Sequence, residues 1–304
     1  MQSKKQYLWI DGKYINFDDA KVHILTHSLQ YGSGIFEGIR CYKTAKGPAI
    51  FRLRDHMKRF VNSMKVYGMP LHFTLEELCD AVKETVKKNG LEEAYVRPFA
   101  YYNAVGIGLN VKGKDTSVAI AALYFGPLFA NHDKGISVKV SSWLRINSSI
   151  LPAGAKASAN YANSVIASKD ANDAGYDEAV LLSNFGNVAE GPGENIFSIQ
   201  DNVLITPPKS SDILVGITRD SIIKIAEKMG VEVVERDLRR EELCTSDELF
   251  FTGTAAEVTP ITSVDSRKIG GGKPGPITTM IASKYSAIVR GEDRDFDSWL
   301  TYVN

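Results

Sequence analysis

The sequence predicts a mixed α+β fold in two domains, and three observations carry that expectation. The chain has 304 residues, roughly twice the ~150 of a typical domain. Apolar residues recur with period 2 in some stretches and period 3.6 in others, with no internal repeat. Turn residues with neither period, Gly126-Pro127 and then Asn131-His132-Asp133-Lys134-Gly135, break the pattern after residue 125. The expected division is a small domain over residues 1–125, a linker over 126–135 and a larger domain over 136–304.

The elements follow in order. Asp11-Gly12 separates apolar runs at 7–10 and 13–17, the signature of a tight hairpin. Residues 49–53 read as a strand. Met57, Phe60, Met64 and Tyr67 then recur at helical spacing over 55–67. Thr74-Leu75-Glu76-Glu77 is a capping-box pattern, in which hydroxyl and carboxylate exchange hydrogen bonds with the first-turn backbone. Leu75, Leu78, Val82 and Val86 form the apolar face of that helix, and Gly90 ends it. Residues 95–102 and 117–125, rich in aromatic and aliphatic side chains, read as strands. Beyond the linker, 136–142 reads as a strand. Residues 161–174 read as a helix with Ala162, Val165 and Ile166 inward. Strands are expected at 179–182, 196–199, 203–206 and 249–251. Two last helices fit 220–229 and 277–289, closed by Gly230 and Gly291.

Composition excludes several classes. Lys+Arg and Asp+Glu both number 36, so the formal net charge is zero. A nucleic-acid binder usually shows a basic excess, and none is present. Hydrophobic residues make up 44% of the chain, ample for a core. Cys41, Cys79 and Cys244 lie far apart and form no CxxC, which argues against a disulfide framework or a metal site. The polar start runs into Tyr7-Leu8-Trp9-Ile10, but Asp11-Gly12 breaks that run before it could be a signal core or a membrane span. A soluble, cytoplasmic protein without nucleic-acid or membrane partners is expected. The run Gly270-Gly271-Gly272-Lys273 lacks P-loop order and reads as a flexible loop.

Five segments could carry chemistry, and each also has an ordinary reading. Lys156 stands among small residues in Leu151-Pro152-Ala153-Gly154-Ala155-Lys156-Ala157-Ser158-Ala159. It is a solvated loop lysine, or a crowded one able to form a Schiff base. Glu190 and Glu194 flank Gly191-Pro192-Gly193, either as solvated turn carboxylates or as a carboxylate held rigidly under a ligand. Gly216-Ile217-Thr218-Arg219 opens a helix with Thr218 as candidate N-cap. Such a start also suits a phosphate. Gly253-Thr254-Ala255-Ala256 is a turn that can aim a hydroxyl and successive N–H groups at an anion. Arg59 makes a surface ion pair of little worth, or faces a cleft where its planar fork suits a phosphate. Together these groups match what pyridoxal phosphate requires: a lysine, a partner for the ring nitrogen and phosphate ligands.

Several stretches occur in an order that carries a family likeness: Tyr31-Gly32-Ser33-Gly34-Ile35-Phe36-Glu37-Gly38-Ile39-Arg40, Tyr95-Val96-Arg97-Pro98, Ala155-Lys156-Ala157 with Asn160-Tyr161, Glu190-Gly191-Pro192-Gly193-Glu194-Asn195, Gly216-Ile217-Thr218-Arg219 and the segment 253–260. The chain resembles, over essentially its whole length, the branched-chain amino acid aminotransferases of fold type IV. The resemblance implies a small α/β domain, a larger domain with a β-barrel-like core, and pyridoxal 5'-phosphate at the domain interface. It implies that Lys156 is the Schiff-base lysine and proton carrier, that Glu190 holds the ring nitrogen protonated and that Tyr161 bonds the ring oxygen. Arg59, Ile217, Thr218 and Thr254 would bind the phosphate. Tyr95 with Thr254, Ala255 and Ala256 would fix the substrate α-carboxylate. Phe36, with Tyr31 and Leu109 from a neighbouring copy, would line the side-chain pocket. Arg97 would meet the distal carboxylate of glutamate or 2-oxoglutarate. The implied activity is ping-pong transamination of leucine, isoleucine and valine by a homo-oligomer, dimer or hexamer.

Two departures stand out. Phe125 and Leu128 stand where many relatives carry a Trp and a Tyr in the interdomain loop, which makes the pocket more apolar. Pro192 replaces a small residue and should stiffen its turn. Rival readings on the same fold are a D-amino acid or (R)-amine aminotransferase and a 4-amino-4-deoxychorismate lyase. Tyr95-Val96-Arg97 and the Gly253-Thr254-Ala255-Ala256 turn favour the branched-chain type.

Overall fold

The computed structural model describes residues 6–126, 128–129 and 133–303. Of the expected linker, Pro127, Ala130, Asn131 and His132 lie outside the described residues. The chain divides into two compact units. One comprises Met1–Gly126, Ala155–Ala159 and Ile288–Asn304; the other comprises Pro127–Gly154 and Asn160–Ala287. The expected segmentation had kept 136–304 together. Instead the chain's end and the short run around Lys156 group with the first unit. Pairing explains both: Leu300–Tyr302 lies antiparallel to residues 49–51, and Ala157 bridges to Ile35.

In the first unit, β1 (Tyr7–Ile10) and β2 (Lys13–Asn16) form the expected hairpin. Asp11 and Gly12 both take positive φ, 47° and 87°, as a two-residue turn between twisted strands requires. A short helix α1 (His27–Tyr31) precedes β3 (Ile35–Phe36), β4 (Ile39–Thr44) and β5 (Gly47–Phe51). Helix α2 (Leu53–Val66) buries Leu53, Met57, Phe60 and Met64, the spacing read from the sequence. Helix α3 (Leu75–Lys88) is capped as expected: Glu77 N donates to Thr74 Oγ1 (3.2 Å) and Thr74 N to Glu77 Oε2 (2.7 Å). Strands β6 (Ala94–Tyr102) and β7 (Thr116–Leu123) complete an antiparallel sheet, in which β6 lies between β4 and β7. The apolar faces of α2 and α3 share a core with Ile39, Val96, Val118 and Ile120. Each large side chain in it contributes ~1.5–3 kcal/mol by leaving water.

The second unit holds β8 (Ile136–Val140), α4 (Ser158–Asp173, whose first two residues group with the first unit), β9 (Glu178–Leu182), β10 (Val188–Glu190), β11 (Asn195–Gln200) and β12 (Val203–Thr206). Then come α5 (Ile217–Lys228), β13 (Val233–Glu235), α6 (Arg240–Thr245), β14 (Glu248–Gly253), β15 (Glu257–Val264), β16 (Arg267–Lys268) and α7 (Pro276–Val289). Among the described residues the strands make one mixed sheet, ordered β10-β9-β8-β15-β14-β11-β12-β13, which curls into a half-barrel.

Two expectations need correction here. Helix α4 does not turn Ala162, Val165 and Ile166 inward. Val165 is 65% exposed and Ile166 46%. Its buried residues are Asn160, Ser164, Ala167 and Ala171, and the two alanines pack on Ala179 and Leu181. Small side chains let the helix approach its neighbours closely, so the bulkier apolar face points outward. Thr218 is not an N-cap, because α5 starts at Ile217 with Gly216 as its cap residue. The turn expected at 253–256 is present between β14 and β15, and β15, for which no strand was expected, runs through Pro260. A proline interrupts a ladder, and the pairing of β15 with β8 shifts register just beyond it, between Ile261 and Ser263.

Candidate active site

In the first unit the backbone around Lys156 is fixed like an added strand. Lys156 N donates to Ser63 Oγ (3.1 Å) and Lys156 O accepts from Phe36 N (3.0 Å). Ser158 N and Ala159 N donate to Gly34 O (2.8 Å) and Gly32 O (3.0 Å). Ala155 and Ala157 on either side are buried. The backbone here is ordered on both sides, and Lys156 itself is half-buried. Its Nζ lies 5.1 Å from the Phe36 ring centre.

The same ring meets a second cation, with the Arg97 guanidinium 4.8 Å from its centre. Arg97 is exposed, lies 5.3 Å from the Tyr95 ring and donates weakly to Tyr95 Oη (3.4 Å). Tyr95 closes over Gly38, where any Cβ would collide with its hydroxyl. Phe125 joins the group, 5.1 Å from Tyr95 and 5.5 Å from the Arg40 guanidinium. The structure therefore brings Lys156, Phe36, Tyr95, Arg97 and Phe125 together. Tyr31 is held elsewhere: its Oη accepts from Gly108 N (2.9 Å), beside Leu109, which is 76% exposed.

Arg59 is not a surface arginine. Its Nε and Nη2 grip the Glu37 carboxylate at 2.6 and 2.9 Å, and His56 Nδ1 lies 2.8 Å from the same group. Glu37 and His56 are both buried. Burial pushes the Glu37 carboxyl up, but Arg59 and His56 outweigh it and hold the carboxyl well below the usual range. Burial pushes the His56 imidazole below its ordinary value, against the pull of Glu37. Sequence reasoning had quoted Glu37 within a motif without giving it a role, and had missed His56.

In the second unit Glu190 ends β10, buried. Asn195 Nδ2 (3.0 Å) and Leu214 N (3.1 Å) donate to its Oε2, and Arg145 Nε lies 2.6 Å from Oε1. Asn195 Nδ2 also reaches Leu214 O at 2.9 Å, which ties the carboxylate to the loop before α5. Gly216 sits so close to Asn195 Oδ1 that no side chain would fit there. Arg145, also missed by sequence reasoning, is buried and placed by its backbone, with its N donating to Leu182 O (2.8 Å). Glu194 folds back on its own turn, accepting from Gly193 N at 3.0 Å. The resemblance had singled out Glu190; both glutamates are buried, with different partners.

Helix α5 begins beside this carboxylate with no side-chain cap, and Ile217 and Thr218 are buried in its first turn. First-turn N–H groups lack intrahelical partners and favour an anion. Asp220 nearby is engaged by Lys224 Nζ at 2.8 Å. The turn Thr254-Ala255-Ala256 is fixed by Thr259 Oγ1, which donates to Ala256 O at 2.7 Å. It lies against the Glu190 turn, since a Cβ on Gly253 would stand 3.3 Å from Gly193 O. Tyr161 is half-buried in the first turn of α4.

Residues 34–264 match the family model described as amino-transferase class IV. The chain is 43% identical over 304 residues to the branched-chain-amino-acid aminotransferase of Salmonella typhimurium, covering 99% of this chain and 98% of that one. It superposes with a TM-score of 0.96 on the crystal structure of the Escherichia coli branched-chain amino acid aminotransferase, at 43% identity over 99% of this chain and 100% of that one. With the branched-chain amino acid aminotransferase from Thermobaculum terrenum in its PLP-containing holo-form, the TM-score is 0.92 at 39% identity, over 100% of each chain.

Proposed function

The chain belongs to the class IV aminotransferase family, and from that premise we propose that it transaminates leucine, isoleucine and valine with 2-oxoglutarate, using pyridoxal 5'-phosphate. The residues present fit that cofactor. Lys156 offers an amine on a fixed backbone, Glu190 a buried carboxylate, and α5 an uncapped start for a phosphate. When bound, the cofactor supplies a sink for the electron pair left at the substrate Cα.

The chain's own residues do the rest. Lys156 Nζ would hold the cofactor, then carry a proton between the substrate Cα and the cofactor C4′. Glu190 would keep a proton on the ring nitrogen, while the Asn195 amide, the Leu214 N–H and the Arg145 charge beside it would keep its own charge in place. Tyr161 would bond the ring oxygen. Arg59, the Ile217 and Thr218 N–H groups and the hydroxyls of Thr218 and Thr254 would bind the phosphate. Tyr95 and the Thr254-Ala255-Ala256 turn would orient the substrate α-carboxylate. Phe36 would give the apolar wall, completed by Tyr31 and Leu109 of a neighbouring copy. Arg97, leaning on aromatic rings, would take the distal carboxylate of 2-oxoglutarate. A methylene in such a wall is worth only about 1–3 kcal/mol, so the three branched donors should be poorly distinguished.

Lys156 is the observation that carries this reading: its neighbours are buried, its backbone is hydrogen-bonded on both sides and its amine stands over Phe36. Its test is Lys156→Ala, assayed with L-leucine, D-alanine and aminodeoxychorismate beside the unchanged protein. Turnover of L-leucine that disappears in the variant supports the reading. Turnover of either other substrate in its place favours one of the rival activities.

Self-association is proposed with it. Ile24, Leu29, Val105, Ile107 and Leu109 are exposed on the first unit, and Trp143, Leu144 and Val165 on the second. Apolar surface of that extent supports a homo-oligomer, and sedimentation would tell dimer from hexamer. A cytoplasmic location is proposed on the three unpaired cysteines. Among the described residues no helix is long and apolar enough to cross a membrane.

A further inference from the structure

Glu37 occupies the link between β3 and β4, with its backbone N donating to Pro98 O at 2.9 Å. Its side chain is wholly buried. A carboxylate in that position is costly unless paired and fully hydrogen-bonded. Here Arg59 supplies two donors along one edge of its guanidinium, Nε and Nη2, and His56 approaches the second oxygen. Arg59 and His56 stand one turn apart on α2, so both reach Glu37 from one helix face. The neighbouring Phe36 N holds Lys156 O. Strand β3 and the link after it thus carry both the N–H that holds the lysine backbone and the acid that clamps the arginine.

An arginine side chain loses much rotamer freedom when it is fixed. A two-point clamp along the Nε edge sets the plane of the guanidinium before any ligand arrives. An anion would then be met along the Nη1/Nη2 edge, at no further ordering cost to the side chain. We propose that Glu37, supported by His56, is a positioning residue that sets Arg59 for the cofactor phosphate and so makes the chain discriminate phosphorylated from unphosphorylated pyridoxal compounds. This rests on the cofactor reading given above.

Charge alone predicts the opposite effect. Removing a carboxylate beside Arg59 would raise the local positive potential and tighten phosphate binding. Positioning predicts weaker binding, confined to the phosphorylated ligand. The two effects differ in sign.

The test uses the full-length apoprotein, titrated calorimetrically with pyridoxamine 5'-phosphate and with pyridoxamine. Glu37→Gln should raise the Kd for the phosphorylated ligand about tenfold or more and leave that for pyridoxamine within about twofold. In an Arg59→Gln background the same change should add less than about twofold. If Glu37→Gln does not fold, His56→Gln should give a smaller loss of about threefold, again only for the phosphorylated ligand. Equal losses for both ligands, or tighter binding of the phosphorylated one, would overturn the proposal. An unchanged protein that binds neither ligand would instead overturn the cofactor reading itself.

Discussion

Two buried carboxylates, one in each unit, sit beside an arginine at the same short distance. Glu37 lies 2.6 Å from Arg59, and Glu190 lies 2.6 Å from Arg145. The remaining partners differ. Glu37 takes two side chains from a single helix, Arg59 and His56, and a long contact from the N–H of the next residue, Gly38 (3.3 Å). Glu190 is also held by the Asn195 amide and a backbone N–H at Leu214, both next to an uncapped helix start. In the first cluster the arginine would be the working group and the acid its support. In the second the acid would work and the arginine would support it. A buried ion pair therefore does not by itself say which partner acts; the surrounding donors and the neighbouring backbone do.

Four experiments would break or sharpen this contrast. The largest effect is expected at Glu190. Glu190→Gln keeps the shape but removes the charge, and should lower turnover by about 10²–10⁴ while cofactor stays bound. A rate within a few-fold of the original would reverse the roles assigned to the second cluster. Next is Arg145→Met, which leaves Glu190 buried and uncompensated. It should cost about 3–5 kcal/mol of stability in denaturant unfolding, and much less when Glu190→Gln is already present. Equal costs in both backgrounds would show that the two do not act as a pair.

Arg97 extends the contrast, since it is exposed and leans on Phe36 and Tyr95 rather than on an acid. Arg97→Ala should raise KM for 2-oxoglutarate about tenfold or more, with far less change for 4-methyl-2-oxopentanoate. A similar rise for both acceptors would remove its assigned role. The smallest effect concerns acid stability. The Glu37 carboxyl is held below its unfolded value in the native protein. Its contribution is therefore present above about pH 4.3 and is lost as pH falls toward the folded value. Glu37→Gln should flatten the fall in stability below roughly pH 4. An unchanged slope would mean that the first cluster does not hold its acid ionised.

Local signals in the sequence were legible. The Asp11-Gly12 hairpin, the Thr74 capping box and the apolar face of α2 depend on residues within a few positions of each other. The face of α4 was misjudged because its buried side is built from small and polar residues, which hydropathy does not mark. Strand β15 was hidden by Pro260. The site divided along the same line. Lys156 and Glu190 were chosen through their motifs and Arg59 through its place on an amphipathic helix, while their supports were not. Arg145 meets Glu190 across 45 positions of chain, and Glu37 meets His56 across 19. No spacing rule links such pairs, because tertiary packing brings them together: a helix lies against the link after β3, and the segment after β8 bonds to the end of β9.

The central claim is that Lys156 serves a pyridoxal phosphate reaction on branched-chain L-amino acids. The most direct measurement is a half-reaction: mix the purified protein with L-leucine and no acceptor, and follow its visible absorption. The colour of bound pyridoxal phosphate should disappear, return on adding 2-oxoglutarate, and fail to cycle in Lys156→Ala. A protein whose spectrum L-leucine leaves unchanged while D-alanine alters it, or a Lys156→Ala variant that still cycles, would contradict the account.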